Sequence, residues 1–133
     1  MMNESMISQS LSATQFAEGL LAGLAVAHNR QITANQSQLH RAFRKVLSQA
    51  KLNPNLNLDA SDIDYDPLYG LSGWLDEFLA RAQRDLLISS PNPSYGRIEI
   101  KVTESEGEAL LSNYPNGDIL KDLSRVFFEQ LQR

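Results

Sequence analysis

Residues 67–103 read PLYGLSGWLDEFLARAQRDLLISSPNPSYGRIEIKVT, and this stretch decides the fold of the chain. Ser72 is a favoured N-cap residue, so a helix is predicted to begin directly after it. The predicted helix has an apolar face at helical spacing, formed by Trp74, Leu75, Phe78, Leu79 and Ala82. Its other side is charged, as expected for a helix that lies on the surface of a core.

A β-hairpin is predicted immediately after this helix. Residues 86–89 form a short apolar segment. In residues 97–102 charged and apolar side chains alternate, as they do in a half-buried strand. The intervening segment 91–96 contains two prolines and is too long for a two-residue turn, so we expect a longer loop. The stretch therefore predicts a helix that leads into one hairpin.

A first helix is predicted upstream, from about Ala13 to His28. Ser12 and Gln15 have the spacing of a capping box, and apolar residues recur after them at helical spacing. Gly19 and Gly23 each cost the helix about 1 kcal/mol relative to alanine. We therefore expect another helix to pack closely against these two positions.

A second helix is predicted to begin after Thr33 or Asn35. Its apolar stripe consists of Leu39, Phe43, Val46, Leu47 and Ala50. The opposite side carries Arg41, Arg44 and Lys45, and neighbouring like charges disfavour a helix by a few tenths of a kcal/mol. This basic side is either solvated or neutralised by acidic groups or phosphates.

Two helices are predicted after the hairpin. Thr103 and Glu106 repeat the capping-box spacing, so a short helix from Glu104 to about Asn113 is expected. The last helix is predicted to begin after Asp118, with an apolar stripe at Ile119, Leu123, Phe127 and Leu131. Two interpretations of that stripe stay open, namely core packing and a dimer or partner surface.

Length and composition indicate one domain. The chain has 133 residues, 42% of them hydrophobic and 21% charged, which is ordinary for a globular protein. We expect a flexible N-terminus over 1–11, a domain over 12–113 and a C-terminal helix over 114–133 for packing or dimerisation. The absence of cysteine excludes disulfides and zinc–thiolate sites. The longest apolar run is too short to span a bilayer, so a cytoplasmic protein without membrane contact is predicted.

The net charge of −4 conceals an uneven distribution. Residues 19–58 contain five basic residues and no acid, whereas residues 59–85 contain seven acids and two arginines. Such blocks indicate either that two parts of the molecule face each other or that each block has its own partner.

The order helix, helix, helix, hairpin, helix resembles that of the winged-helix superfamily. The resemblance covers roughly residues 32–111, and it includes the apolar pair Leu87-Ile88 at the entry to the hairpin. The turn Thr103-Glu104-Ser105-Glu106-Gly107 is similar to the Thr-Glu-x-Gly-like turn after the wing in many winged-helix regulators, although it is one residue longer. The resemblance implies an α+β, mostly helical fold, with one β-hairpin wing and a C-terminal amphipathic helix.

A second, weaker resemblance is to the SocA-like antitoxin domains, also called Panacea. Residues 39–43 (LHRAF) and 66–70 (DPLYG) are similar in position to a helix and a turn of that family, with the key residues rearranged. This resemblance implies that a winged-helix-like domain could act by binding another protein.

No enzymatic motif is recognisable, so a non-catalytic protein without a cofactor is predicted. The two histidines have no metal or nucleophile spacing, and His40 is expected to be a surface or half-buried helix residue. The aspartates of 59–66 resemble the start of a calcium loop, but with Asp62 as the first ligand the required glycine falls on Pro67. We therefore expect no metal site.

Two partner classes follow from the resemblance and the charges. A small regulatory protein linked to duplex DNA is favoured, and a protein-interaction or antitoxin-like adaptor that does not bind DNA is the alternative. In both cases a homodimer is expected. The candidate contact residues are Arg41, Arg44, Lys45, Arg81, Arg84, Tyr95, Arg97 and Lys101. The acids Asp76, Glu77 and Asp85 argue against DNA, because they would approach phosphates.

Overall fold

The structure is a computed structural model that describes residues 10–68, 70–85, 87–89 and 97–132. These residues form five helices: α1 (Ala13–Val26), α2 (Gln36–Leu52), α3 (Gly73–Arg84), α4 (Glu104–Asn113) and α5 (Gly117–Leu131). They also form five short strands: β1 (Leu11–Ser12), β2 (Gln31–Thr33), β3 (Leu58–Asp59), β4 (Ile88–Ser89) and β5 (Arg97–Ile100). The fold is α+β and mostly helical, which confirms the predicted class.

Side-chain caps fix the starts of four of the five helices. Reciprocal capping boxes begin α1 at Ser12, α2 at Asn35 and α4 at Thr103, and the hydroxyl of Ser72 caps α3. Asn35 rather than Thr33 is thus the cap of α2. The first helix ends at Val26, two residues before the predicted end, because His28 has a left-handed backbone with φ of 64°.

The predicted hairpin is one part of a three-stranded antiparallel sheet. β4 pairs with β5, and β5 also pairs with β2, so the strand order is β2-β5-β4. The sequence analysis did not predict β2, which lies where a connection between helices was expected. Ile32 of β2 is paired with Ile98 and is buried. Because a two-stranded hairpin is marginally stable alone, the third strand ties the hairpin to the core.

A second, small sheet joins the start of α1 to the loop after α2. β1 and β3 run parallel, with Leu11 opposite Leu58. Leu11 is completely buried, so the predicted flexible N-terminus does not extend to residue 11. Burial of an apolar side chain of this size stabilises a fold by about 1.5–3 kcal/mol, which is sufficient to order the segment.

The central helix α1 packs against α4 and α5, and in the described parts of the chain one cluster of buried apolar side chains extends from β1 to α5. The predicted close packing at Gly19 and Gly23 is confirmed, since both face α5 across a very small gap. A Cβ atom built on Gly23 would lie 2.6 Å from the Cβ atom of Ser124. A contact this short cannot be relieved by side-chain rotation alone, so the backbones of the two helices must separate.

We predict that Gly23→Ala lowers the free energy of unfolding by about 1–3 kcal/mol, the usual cost of overpacking a core. Urea denaturation followed by circular dichroism measures the change. Gly73→Ala is the matched control, because nothing lies within 4 Å of a Cβ atom at that helical position. The control is expected to be neutral or stabilising, since alanine is the better helix former. Equal stability of Gly23→Ala and the wild type would contradict the close approach of α1 and α5.

Candidate nucleic-acid or protein interface

A buried histidine connects α2 with the start of α3. His40 has 0% of its surface exposed, so its expected surface or half-buried position was wrong. The backbone N–H of Ser72 donates a hydrogen bond to Nδ1 of His40 at 2.8 Å. A nitrogen that accepts from an N–H group carries no proton, so the proton of the neutral ring is on Nε2. Nε2 in turn donates to Oδ1 of Asp76 at 2.9 Å.

Aromatic packing fixes the same junction. The ring of Trp74 stacks on Phe43 of α2 with centroids 6.2 Å apart, and on Phe78 of α3 with centroids 5.6 Å apart. Aromatic pairs at such distances contribute about 0.5–1.5 kcal/mol beyond their buried area. The first turn of α3 is therefore held to α2 by both hydrogen bonds and ring contacts.

The basic residues of α2 remain accessible. Arg41, Arg44 and Lys45 are exposed, and α2 contains no acidic residue. Within the described parts of the chain, none of the three forms an ion pair with the aspartates of the 59–66 loop. The loop does contact Arg44, whose guanidinium carbon lies 5.2 Å from the ring centre of Tyr65.

Tyr65 provides a neutral platform for Arg44. Burial raises the pKa of the Tyr65 phenol well above its ordinary value, and the nearby Arg44 acts in the opposite direction. The phenol therefore stays protonated at neutral pH, so the contact is a cation–π interaction rather than an ion pair. Arg44 is held in place while keeping its positive charge.

The other basic candidates lie on α3 and β5. Arg81 and Arg84 are exposed in the last turn of α3, and neither has an ion-pair partner in the described regions. Arg97 and Lys101 are exposed at the two ends of β5, where Lys101 approaches Glu99 at 3.7 Å. A pair this exposed contributes little and leaves the lysine available.

Tyr95 and the rest of the 90–96 loop lie outside the described residues. The structure thus places seven of the eight candidate contact residues on α2, on α3, on β5 or directly after β5, and all seven are exposed.

The stripe of the last helix belongs to the core, which favours the first of its two interpretations, core packing, over a dimer or partner surface. Leu123, Phe127 and Leu131 are only 6%, 5% and 4% exposed, and Ile119 is partly buried. Phe127 packs edge-on against Phe43 with centroids 6.5 Å apart. The side chains that were expected to bind a second copy are covered by α1 and α2 of the same chain.

Other classes of site were also sought. Among the described residues, no group of three or more His, Asp and Glu side chains is arranged to hold a metal ion. None of the described helices has the length and apolar character needed to cross a membrane. Comparisons with protein-family models, curated proteins and solved structures found no match.

We predict that His40→Leu lowers the free energy of unfolding by about 1–3 kcal/mol. Leucine has a similar size, but it leaves the buried N–H of Ser72 without an acceptor. Denaturant unfolding measures the loss. Asp76→Ala is the matched control, because the Asp76 side chain is 44% exposed and water can replace its carboxylate. A stability loss for Asp76→Ala as large as that for His40→Leu would contradict the importance of the Ser72 bond.

Proposed function

We propose that this chain is a winged-helix domain that binds duplex DNA and acts as a small, non-catalytic regulatory protein in the cytoplasm. The order of its elements supports the fold assignment. Three helices precede the hairpin of β4 and β5, and two helices follow it. In this assignment α3 is the recognition helix, α2 is the helix that precedes it, and the hairpin is the wing.

The observation that carries the proposal is the basic side of α2, which is exposed, contains no acid and forms no ion pair with any described residue. Cations without ion-pair partners are free to neutralise phosphates, and the release of counterions then supplies much of the binding free energy. The aspartate-rich loop could have covered this side, but Arg41, Arg44 and Lys45 all remain exposed. Arg81 and Arg84 add two exposed cations on the proposed recognition helix.

A protein-interaction module is the second candidate, and specific observations favour it. Leu68 is 83% exposed beside the aspartate-rich loop, and Glu77 is exposed on α3. An exposed apolar side chain that follows a run of aspartates in the sequence suits a partner with a basic, apolar surface. This candidate uses the loop and α3, whereas DNA binding uses the cations of α2 and α3.

We predict that replacing Arg41 and Lys45 together by glutamine weakens DNA binding and reduces its salt dependence. Each lost phosphate contact lowers the slope of log K against log salt by about 0.9, so a change of about two is expected. Fluorescence anisotropy with a labelled random duplex at several salt concentrations measures both quantities. Arg44 is left intact, because its replacement would also disturb Tyr65.

The matched control removes two positive charges elsewhere. Lys121 and Arg125 of α5 pair with Glu108 and Asp122, and their replacement by glutamine is expected to leave the slope nearly unchanged. Equal slopes for the wild type and the α2 variant would show that α2 is not the contact surface. No binding by the wild-type protein at low salt would reject DNA binding and favour the protein-interaction candidate.

A further inference from the structure

The acids on and beside α3 are the main obstacle to DNA binding, and the structure separates their roles. Asp76 is committed to the α2–α3 junction, because Oδ1 accepts from Nε2 of His40 at 2.9 Å. Asp85 follows the helix as its C-cap residue, beyond the last turn. Glu77 is the one acid left on the outward side of α3, where it is exposed and forms no ion pair with any described residue.

Glu77 lies at the centre of a helix face that is otherwise small or basic. Gly73 is four residues before it, Ala80 three residues after it and Arg84 seven residues after it, so all four share one side of the helix. All four are exposed, and a Cβ atom on Gly73 would meet nothing within 4 Å. The two small residues allow the helix backbone around Glu77 to approach another surface closely.

We infer that Glu77 reads the base edge in the major groove and selects cytosine by accepting a hydrogen bond from its N4 amino group. This inference rests on the proposed DNA binding and names the base that the same surface prefers. An ionised carboxylate only accepts hydrogen bonds, and the donors in the major groove are N4 of cytosine and N6 of adenine. The adenine donor lies beside the N7 acceptor, which repels a carboxylate, so cytosine is the better partner.

This role also explains why a surface that approaches phosphates would carry a negative charge at Glu77. On non-cognate DNA the carboxylate has no donor and is repelled by the backbone, so it weakens binding. On a site with cytosine at the matching position the hydrogen bond offsets that repulsion. Glu77 thereby acts as a specificity-determining residue, which penalises wrong sequences more than it strengthens the right one.

The test is a selection from a random duplex library by the full-length chain and by the Glu77→Gln variant, with enriched sites read by sequencing. The wild type is expected to enrich sites with an invariant cytosine at one position. Glu77→Gln is expected to exchange that cytosine for adenine, because glutamine bonds both N6 and N7 of adenine. The variant should also bind unselected duplex more tightly, since one repulsive charge is gone.

Asp85→Asn is the matched control. It also removes one negative charge, but Asp85 is the C-cap residue of α3 and does not lie on the outward face of the helix. The Asp85→Asn variant is expected to keep the cytosine preference. In anisotropy titrations, proteins that retain Glu77 should bind a duplex with cytosine at that position at least about tenfold more tightly than a duplex with another base there, and Glu77→Gln should lose this difference. Thermal unfolding of both variants confirms that they fold.

The outcomes separate the two proposals. If both proteins enrich sites with the same base at that position, the role of Glu77 is overturned and DNA binding stands. Binding without any enriched sequence would have the same result. No binding to the library at low salt would overturn the proposed function itself, and the role of Glu77 with it.

Discussion

The junction between α2 and α3 depends on the buried imidazole of His40. One ring nitrogen accepts from the backbone of Ser72, and the other donates to Asp76. Because both nitrogens are used, the ring has one orientation and one neutral protonation pattern in this arrangement. The residue that caps α3 and the first acid of α3 are therefore both positioned by a side chain of α2. This connection therefore determines which side of α3 faces outward.

The remaining elements support the α2–α3 junction through α5, which packs against α2. α1 lies at the centre of the molecule, with α4 and α5 packed against it, and α5 also contacts α2. Phe127 of α5 reaches the same Phe43 ring on which Trp74 stacks. The sheet of β2, β5 and β4 then fixes the hairpin relative to the helices. The two C-terminal helices thus contribute to the packing that holds α1 and α2 together.

Local patterns were sufficient to predict the helices and the hairpin, because helix caps and apolar periodicity depend only on residues that are close together in the sequence. Ser12, Ser72 and Thr103 begin helices as predicted, and the alternation of residues 97–102 indicated a strand. β2 was missed because three residues are too few for a period, and its pairing with β5 joins segments about 65 residues apart.

Long-range packing explains what the sequence alone left open or missed. The stripe of α5 has the same periodicity whether it covers a core or a partner, and only the position of α1 and α2 shows that it is core. Burial of His40 had a weak local signal, since the residue lies three positions before Phe43 and seven before Leu47, both buried. The basic side of α2 was identified from the sequence, but whether the aspartate-rich loop leaves it exposed depends on how that loop folds.

The proposed DNA binding requires the exposed sides of α2 and α3 to form one surface for the duplex. The most direct test is an amide NMR titration of the isotope-labelled chain with a short duplex at low salt, with resonances assigned to residues. The account predicts shifts concentrated around Arg41–Lys45, along the outward face of α3 and at Arg97. Shifts confined to α4 and α5, or no shifts at all, would contradict it.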